Sequence, residues 1–514
     1  MSTDLNIANG IREFARATPR ATAVIDGARS LSFAELDDRA SRLATAMLAA
    51  GLKPGDRVGL LSWNRLEFIE IGAAFGKTGL IVVPLNPRGI AKEHAFILEH
   101  SQARGLIVDE ALTDAVIGIW EHLDFVVTLG TDGPGEPHER LLARSSARDP
   151  RITVAETDEF CIQYTSGTTG APKGVLLSHR SRVLSMYTGA LDWKLGPGRR
   201  TAAIAPMALG AGFTFGYMGP FLGGTTVMLP KWDPATLLAM VERERLQSIF
   251  LVPTHAYAIR ALTETPTEDY DLSSLETIYF NAAALPVPLK EWVIAAFEGV
   301  PILELYGSTE ASVVTLLRAD HALTKAGSVG HPWWNTEVKL LDDDGVPVGP
   351  NEPGELFSRS PMNMRGYFNH PEATAAALPG GGWCTAGDVA VADDEGFIYI
   401  VDRKKDMVVS GAQNIYPREI ENVIVRAAGV CEVAVVGLPD PAWGERLSAF
   451  VVAMPGAAPD PTAMEELVRA ELAGYKVPRE WRFVDALPRN ANGKIMKNVL
   501  RADAIAADAA ATTG

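Results

Sequence analysis

Cysteine is scarce in this sequence: Cys161, Cys384 and Cys431 are the three among 514 residues, far apart and without Cys-x-x-Cys spacing. Such usage excludes a disulfide framework and a zinc ribbon, and it points to a reducing compartment, the cytoplasm. Positive charge is short as well. With 47 Lys and Arg against 63 Asp and Glu the net charge is -16, so nothing attracts the chain to nucleic acid or to an anionic membrane surface, and neither is expected as a partner. Anionic ligands must then be held by local groups. Long hydrophobic runs are also missing. The most apolar early stretch, IGAAFGKTGLIVVPLN, is interrupted by Lys77 and broken again at Pro84, which is too short for a membrane span and predicts a buried helix followed by a strand. The opening MSTDLNIANGIREFARATPR has no apolar core behind a basic start, so it is expected as an amphipathic helix and not as a signal peptide.

What is present is a composition of 47% hydrophobic and 21% charged residues, that of a soluble globular protein too long for one core of ordinary size. Short apolar strands alternate with helical periodicity, the pattern of α/β architecture. Thus DRVGLLSW predicts a strand, EFIEIGAAFGKTG a helix and LIVVPLN a strand. Around residue 400 the texture changes. The run GFIYIVDRKKDMVVSGAQNIYPREIENVIVRAAGV predicts a strand, a charged turn and a helix opened by Pro417, with Ile420, Val423, Ile424 and Ala427 on one face. Strands CEVAVVGL and SAFVVAM and helix PTAMEELVRAELAGY complete a small α+β domain. Placing the boundary in the charged turn gives a large N-terminal domain, 1–402, and a small C-terminal domain, 403–514. The tail RADAIAADAAATTG is of low complexity.

The stretch YTSGTTGAPKGV, Tyr164 to Val175, packs hydroxyls, glycines and one lysine between apolar runs. Unblocked backbone N–H groups and hydroxyl donors at this density suit a polyphosphate, so a nucleotide triphosphate is the first expectation. It is not a Walker A loop, because the GK[ST] ending is absent and Pro172 stands where the second glycine would be. The whole string instead resembles the phosphate-binding signature of the adenylate-forming superfamily, which includes acyl-CoA synthetases, luciferases and peptide-synthetase adenylation domains. The resemblance runs from about Leu31 to Arg501 and implies the α/β fold of that superfamily: a large domain of αβ subdomains with a small mobile α+β lid.

Residue by residue, the resemblance implies ATP contacts at Thr165, Ser166, Gly167, Thr168, Thr169, Gly170 and Lys173. In LELYGSTEAS it makes Tyr306 the aromatic that stacks on adenine, with Gly307 and Ser308 beside it. Thr309 becomes a phosphate donor and Glu310 the Mg²⁺ ligand, the one or two protein oxygens that a phosphate-bound cation takes. Ala282 and Ala283, in FNAAALP, would supply the adenine-binding strand end, although Asn281 replaces the usual glycine. In GWCTAGDVA, Asp388 matches the aspartate that accepts from the ribose hydroxyls. In DRKKD, Arg403 matches a ribose-contacting arginine and Lys405 the hinge, while Lys404 is expected as a solvated charge; Asp402 stands where the family more often has glycine. Lys494, in LPRNANGKIMKNVLR, matches the catalytic lysine that bridges the substrate carboxylate and the α-phosphate.

The activity implied is attack of a carboxylate on the α-phosphorus of ATP, giving an acyl-adenylate and pyrophosphate, followed by attack of the coenzyme A thiol. Such chemistry needs positioning and charge neutralisation more than a covalent nucleophile. The small domain would turn about Lys405 between the two steps. Gly411 would border the pantetheine tunnel, and Trp443, Tyr475 and Arg479 offer aromatic faces and a cation to coenzyme A. The acyl pocket would lie near PMALGAGFTFGYM, where Ala208 and Leu209 replace the usual aromatic-histidine pair. Leu209, Phe213, Phe215, Ala311 and Val313 then fit an aliphatic or aromatic acid. Open alternatives are a stand-alone enzyme that loads a carrier protein, a luciferase-type oxygenase, and an inactive nucleotide-binding regulator. A homodimer is also left open.

Overall fold

The structure is a computed structural model, and it describes residues 4–165, 172–410, 413–489 and 495–512. Two compact units emerge, Met1–Val338 with Ser358–Cys384, and Lys339–Phe357 with Thr385–Gly514. The change of unit therefore falls ahead of the charged turn, and the segment 339–357 goes with the second unit.

The first unit holds two large sheets among the described residues. One runs in the order Gly366–Tyr367, Lys173–Ser178, Glu159–Thr165, Ile81–Leu85, Arg57–Leu61, Gly105–Asp109, Phe125–Leu129, Glu136–Pro137. Its centre is parallel and buried, as the unbroken apolar strands RVGLL and IVVPL require. The other sheet has parallel strands Thr225–Met228, Arg200–Ala203, Ser248–Leu251, Thr277–Phe280 and Ile302–Ser308. It then turns antiparallel through Ser312–Leu317.

Helix Leu66–Thr78 is the expected buried helix, and all of its residues are buried. It packs against helices Phe33–Ala49 and Gly210–Phe221. Its charges survive burial because each meets a remote partner, as an interior ion must. Lys77, which interrupts the apolar stretch in the sequence, reaches Asp37 at 2.6 Å, Ser41 at 3.0 Å and Asp149 at 3.1 Å. Glu67 pairs with Arg29 and Arg65, and Glu70 with Arg39 at 2.7 Å.

Glu70 also lies 2.8 Å from Nε2 of His138, whose Nδ1 is 3.5 Å from Glu139. Burial alone would lower the His138 pKa, but the Glu70 carboxylate and Glu139 outweigh it and push the pKa up to about 9. The folded value lies above the unfolded one, roughly 6.5. This group's stabilisation is therefore complete below that pH and fades as pH rises through about 9. His138→Gln is expected to flatten the decline in stability across that window, which urea midpoints of both proteins at successive pH values will check.

The second unit centres on strands Val430–Asp440 and Gly444–Ala453, paired antiparallel, with Glu480–Phe483 added in parallel. Helix Pro417–Ile424 opens on proline as expected and buries Ile420, Val423 and Ile424. With helix Pro461–Glu471 it covers one core, built on Val408, Val435 and Val468. Leu500 and Ala504 of helix Lys497–Thr512 join a second, around Val436 and Phe450. Helix Pro461–Glu471 stops earlier than its periodicity predicts, because Leu472 takes an extended conformation and the chain passes into a short turn at Gly474–Lys476. Among the described residues no helix is long and apolar enough to cross a membrane.

Candidate active site

The nucleotide-binding loop expected from the sequence springs from a hairpin stem. Strand Glu159–Thr165 pairs antiparallel with Lys173–Ser178, so that Thr165 faces Lys173 and Tyr164 faces Gly174. A Cβ at Gly174 would lie 2.6 Å from Ile162 Cγ2 and 3.1 Å from the Tyr164 ring, which reserves that position for glycine. Ser166, Gly167, Thr168, Thr169 and Gly170 lie outside the described residues. Tyr164 itself is held by His100, whose Nδ1 is 2.7 Å from the phenol oxygen.

Tyr306 to Glu310 sit where Ile302–Ser308 turns back into Ser312–Leu317. A register shift falls between Tyr306 and Gly307, and a Cβ at Gly307 would approach Ser312 O to 1.9 Å, so only glycine permits this close pairing. Ser308 Oγ accepts from Ala311 N at 3.1 Å, which closes the turn and presents Thr309 and Glu310 at its tip. Ser312 adopts φ 59°, and its hydroxyl lies 2.9 Å from that of Ser185. The root of strand Ile302–Ser308 is tied down by a buried pair, Lys290 Nζ to Glu304 at 2.5 Å.

Glu310 is fixed by a residue the sequence reading did not single out. Tyr367 donates its hydroxyl to Glu310 Oε1 at 2.9 Å, and Met364 N donates to Glu310 O at 2.7 Å. Tyr367 reaches this position because Gly366–Tyr367 adds an edge to the phosphate hairpin, Tyr367 opposite Val175. The same ring lies under Lys173, whose Nζ is 5.2 Å from its centroid. Lys173 and Glu310, far apart in sequence, thus meet on one tyrosine. The buried Cys384 thiol, pushed up to about 12 by burial and by the Glu310 carboxylate, is held protonated.

Ala282 and Ala283 follow strand Thr277–Phe280 and are exposed. The left-handed conformation falls on Ala282, φ 74°, and not on Asn281, whose side chain accepts from Ala282 N. An L-residue there is strained, so Ala282→Gly is expected to raise unfolding stability by about 0.5–1 kcal/mol, measurable by urea titration.

Of the acyl-pocket residues, Phe213 and Phe215 point to different places. Phe213 packs with Phe160 at 5.4 Å and Tyr217 at 5.0 Å. Phe215, two positions on, joins the aromatic core of Trp193, Phe250 and Tyr279. Ala311 and Val313 are buried beside the Glu310 turn, and Leu209 precedes helix Gly210–Phe221 half-buried.

In the second unit, Asp388 and Arg403 are opposite one another on paired strands, Asp388–Ala392 and Ile398–Arg403. Arg403 Nε meets Asp388 Oδ1 at 3.0 Å. Lys404 is an exposed charge, as expected, and it pairs with Asp343 at 2.9 Å and Glu355 at 3.1 Å. Lys405 lies in the short turn Lys404–Asp406. Asp402 is buried and accepts from Arg418 N at 3.0 Å, so it caps the helix that Pro417 opens. Trp443 and Arg479 come together, the guanidinium 4.6 Å from the indole centroid, with Trp443 and Tyr475 both exposed. Gly411 and Lys494 lie outside the described residues.

The sheets, the glycine-rich hairpin and the Tyr306 to Glu310 turn define an adenylate-forming enzyme of the α/β class, and the comparisons agree. The chain belongs to the AMP-binding enzyme family, which it matches over residues 11–368, with the C-terminal domain of that family matched over 419–494. It is 37% identical over 490 residues to a feruloyl-CoA synthase of an Amycolatopsis species, covering 95% of this chain and 96% of that one. It is 35% identical over 502 residues to the long-chain-fatty-acid–CoA ligase FadD13 of Mycobacterium tuberculosis, covering 96% and 98%. Among solved structures, o-succinylbenzoate CoA synthetase (MenE) of Bacillus subtilis, in complex with its acyl-adenylate intermediate, aligns with TM-score 0.85 at 28% identity, over 96% of this chain and 98% of that one.

Proposed function

We propose that this enzyme is an ATP-dependent acid–thiol ligase: it converts a carboxylic acid to its acyl-adenylate with release of pyrophosphate, then passes the acyl group to coenzyme A. The observation that carries this reading is the meeting of Lys173 and Glu310 on Tyr367. A cation and a carboxylate held at the mouth of a glycine-rich hairpin suit a triphosphate and its metal ion.

Mg²⁺ fits the donors present. Glu310 offers a carboxylate that Tyr367 orients through one oxygen, and this residue would hold a hard cation, which usually takes only one or two protein oxygens when it binds with phosphate. When bound, the ion would neutralise charge on the departing pyrophosphate. The chain's own groups do the rest. Lys173 counters phosphate charge, Thr309 donates to a phosphate oxygen, Tyr306 stacks on adenine, and Asp388 accepts from the ribose hydroxyls. Lys494 lowers the repulsion between the incoming carboxylate and the α-phosphate. Domains 1–402 and 403–514 would move about Lys405 between the half-reactions.

Coenzyme A is the proposed thiol. The exposed Trp443 face backed by Arg479 offers stacking to adenine and a cation to phosphate. The cysteines are free, two of them buried as thiols, in keeping with a reducing, cytoplasmic setting. Incubation with ATP, Mg²⁺ and acid without thiol is expected to leave an enzyme-bound acyl-adenylate, detectable by mass spectrometry after acid quench. ADP and phosphate as products would contradict the reading.

A further inference from the structure

The last rungs of the phosphate hairpin rest on a histidine to which the proposed chemistry gives no part. His100 ends helix Ala91–His100 and is half-buried. Phe96, about one turn earlier on the same helix, stacks on it, with ring centroids 5.4 Å apart and 24° between the planes. That stack fixes the imidazole, whose Nδ1 lies 2.7 Å from the Tyr164 hydroxyl oxygen. The same ring meets Phe368 edge-on, with 6.0 Å between centroids and 73° between planes.

Tyr164 and Phe368 belong to different parts of the site. Tyr164 stands on the first strand of the hairpin, opposite Gly174 and next to Thr165. Phe368 follows Tyr367, and its N donates to Gly174 O at 2.7 Å. Gly174, the neighbour of Lys173, is thus flanked on both sides by partners of His100. Two short paths leave the imidazole. One runs through Tyr164 to the facing pair Thr165 and Lys173. The other runs through Phe368 to Tyr367, which donates to Glu310 at 2.9 Å.

We infer that His100 is a positioning residue, which couples the phosphate hairpin to the carboxylate proposed for Mg²⁺ by holding Tyr164 and Phe368 on one ring. The inference rests on the ligase reading and adds a residue to it. His100 acts through its neighbours, and its two contacts serve different arms. The hydrogen bond fixes the direction of Tyr164 and so the rungs that carry Thr165 and Lys173. The ring contact fixes the edge strand that brings Tyr367 to Glu310. Side chains that orient binding groups from behind change affinity for the ligand they never touch.

The test is equilibrium binding of ATP, with and without Mg²⁺, by titration calorimetry on the wild type, His100→Ala, His100→Phe and His100→Asn, with a urea midpoint for each protein. His100→Ala is expected to weaken binding of ATP with Mg²⁺ by about 10-fold and to shrink the gain in affinity that Mg²⁺ brings. His100→Phe keeps the ring, so it should keep that gain while losing affinity for ATP alone. His100→Asn keeps a polar atom near the Nδ1 position and should do the reverse. These two variants also decide the matter if the alanine variant does not fold. A merely structural role would lower the urea midpoint and leave the affinities at the wild-type values. That result, or a loss of equal size with and without Mg²⁺ in all three variants, would overturn the assignment. A wild type that binds ATP but releases no pyrophosphate with any acid removes the ligase reading, and the binding ratios alone then decide the role of His100. A wild type that binds no ATP removes both.

Discussion

Lys494→Ala is expected to lower acid-dependent pyrophosphate release by on the order of 10²–10³-fold or more, while thiolation of a supplied acyl-adenylate continues near the wild-type rate. The split follows from charge. In the first half-reaction two anions, a carboxylate and the α-phosphate, must approach each other, and a fixed ammonium at that point acts most strongly in the transition state. In the second, a thiol attacks an acyl carbon whose leaving group is already AMP, and no such pair of anions forms. Lys405→Pro, at the proposed hinge, should give the mirror image, with adenylation kept and thiolation lost. Separate single-turnover assays of the two half-reactions check both. Equal loss of the half-reactions in Lys494→Ala would remove the division of labour on which the two-domain mechanism depends.

Glu310→Gln should lower kcat/KM for ATP by about 10²-fold or more and raise the Mg²⁺ concentration needed for half-maximal rate, because a neutral amide is a poor ligand for a hard cation. Tyr367→Phe removes only the hydroxyl that orients this carboxylate, so a milder loss of about 10-fold, with the same shift in Mg²⁺ dependence, is expected. A Mg²⁺ titration of pyrophosphate release on the three proteins separates these outcomes. An unchanged Mg²⁺ dependence in Glu310→Gln would take the metal away from this residue.

The parts of the site legible in the sequence are those carried by contiguous residues. A hairpin loop and a turn keep their donors together whatever the rest of the chain does, so YTSGTTGAPKGV and YGSTE announce themselves. The buried helix Leu66–Thr78 was legible for the same reason, its apolar character being local. Tyr367 was not, because it reaches Glu310 only through an edge strand that pairs with Val175, a register no local pattern encodes. Lys404 is exposed as its charged turn predicts, while its pairing with Asp343 and Glu355 was not legible, because both partners lie about 50 to 60 residues away. Asp402, a departure from the family pattern at the charged turn, proves to be a helix cap from another element, since its partner Arg418 N lies 16 residues on.

Acid, ATP and thiol are consumed in sequence at one enzyme, and this is tested most directly by pyrophosphate release with ATP and Mg²⁺ across fatty, aryl and short-chain acids. The assay is run with and without coenzyme A, and the product is then identified. Expected are release that depends on the acid, AMP as co-product, and an acyl-CoA that forms only when the thiol is added. Pyrophosphate release independent of any acid, or none with every acid tested, would contradict that sequence of steps.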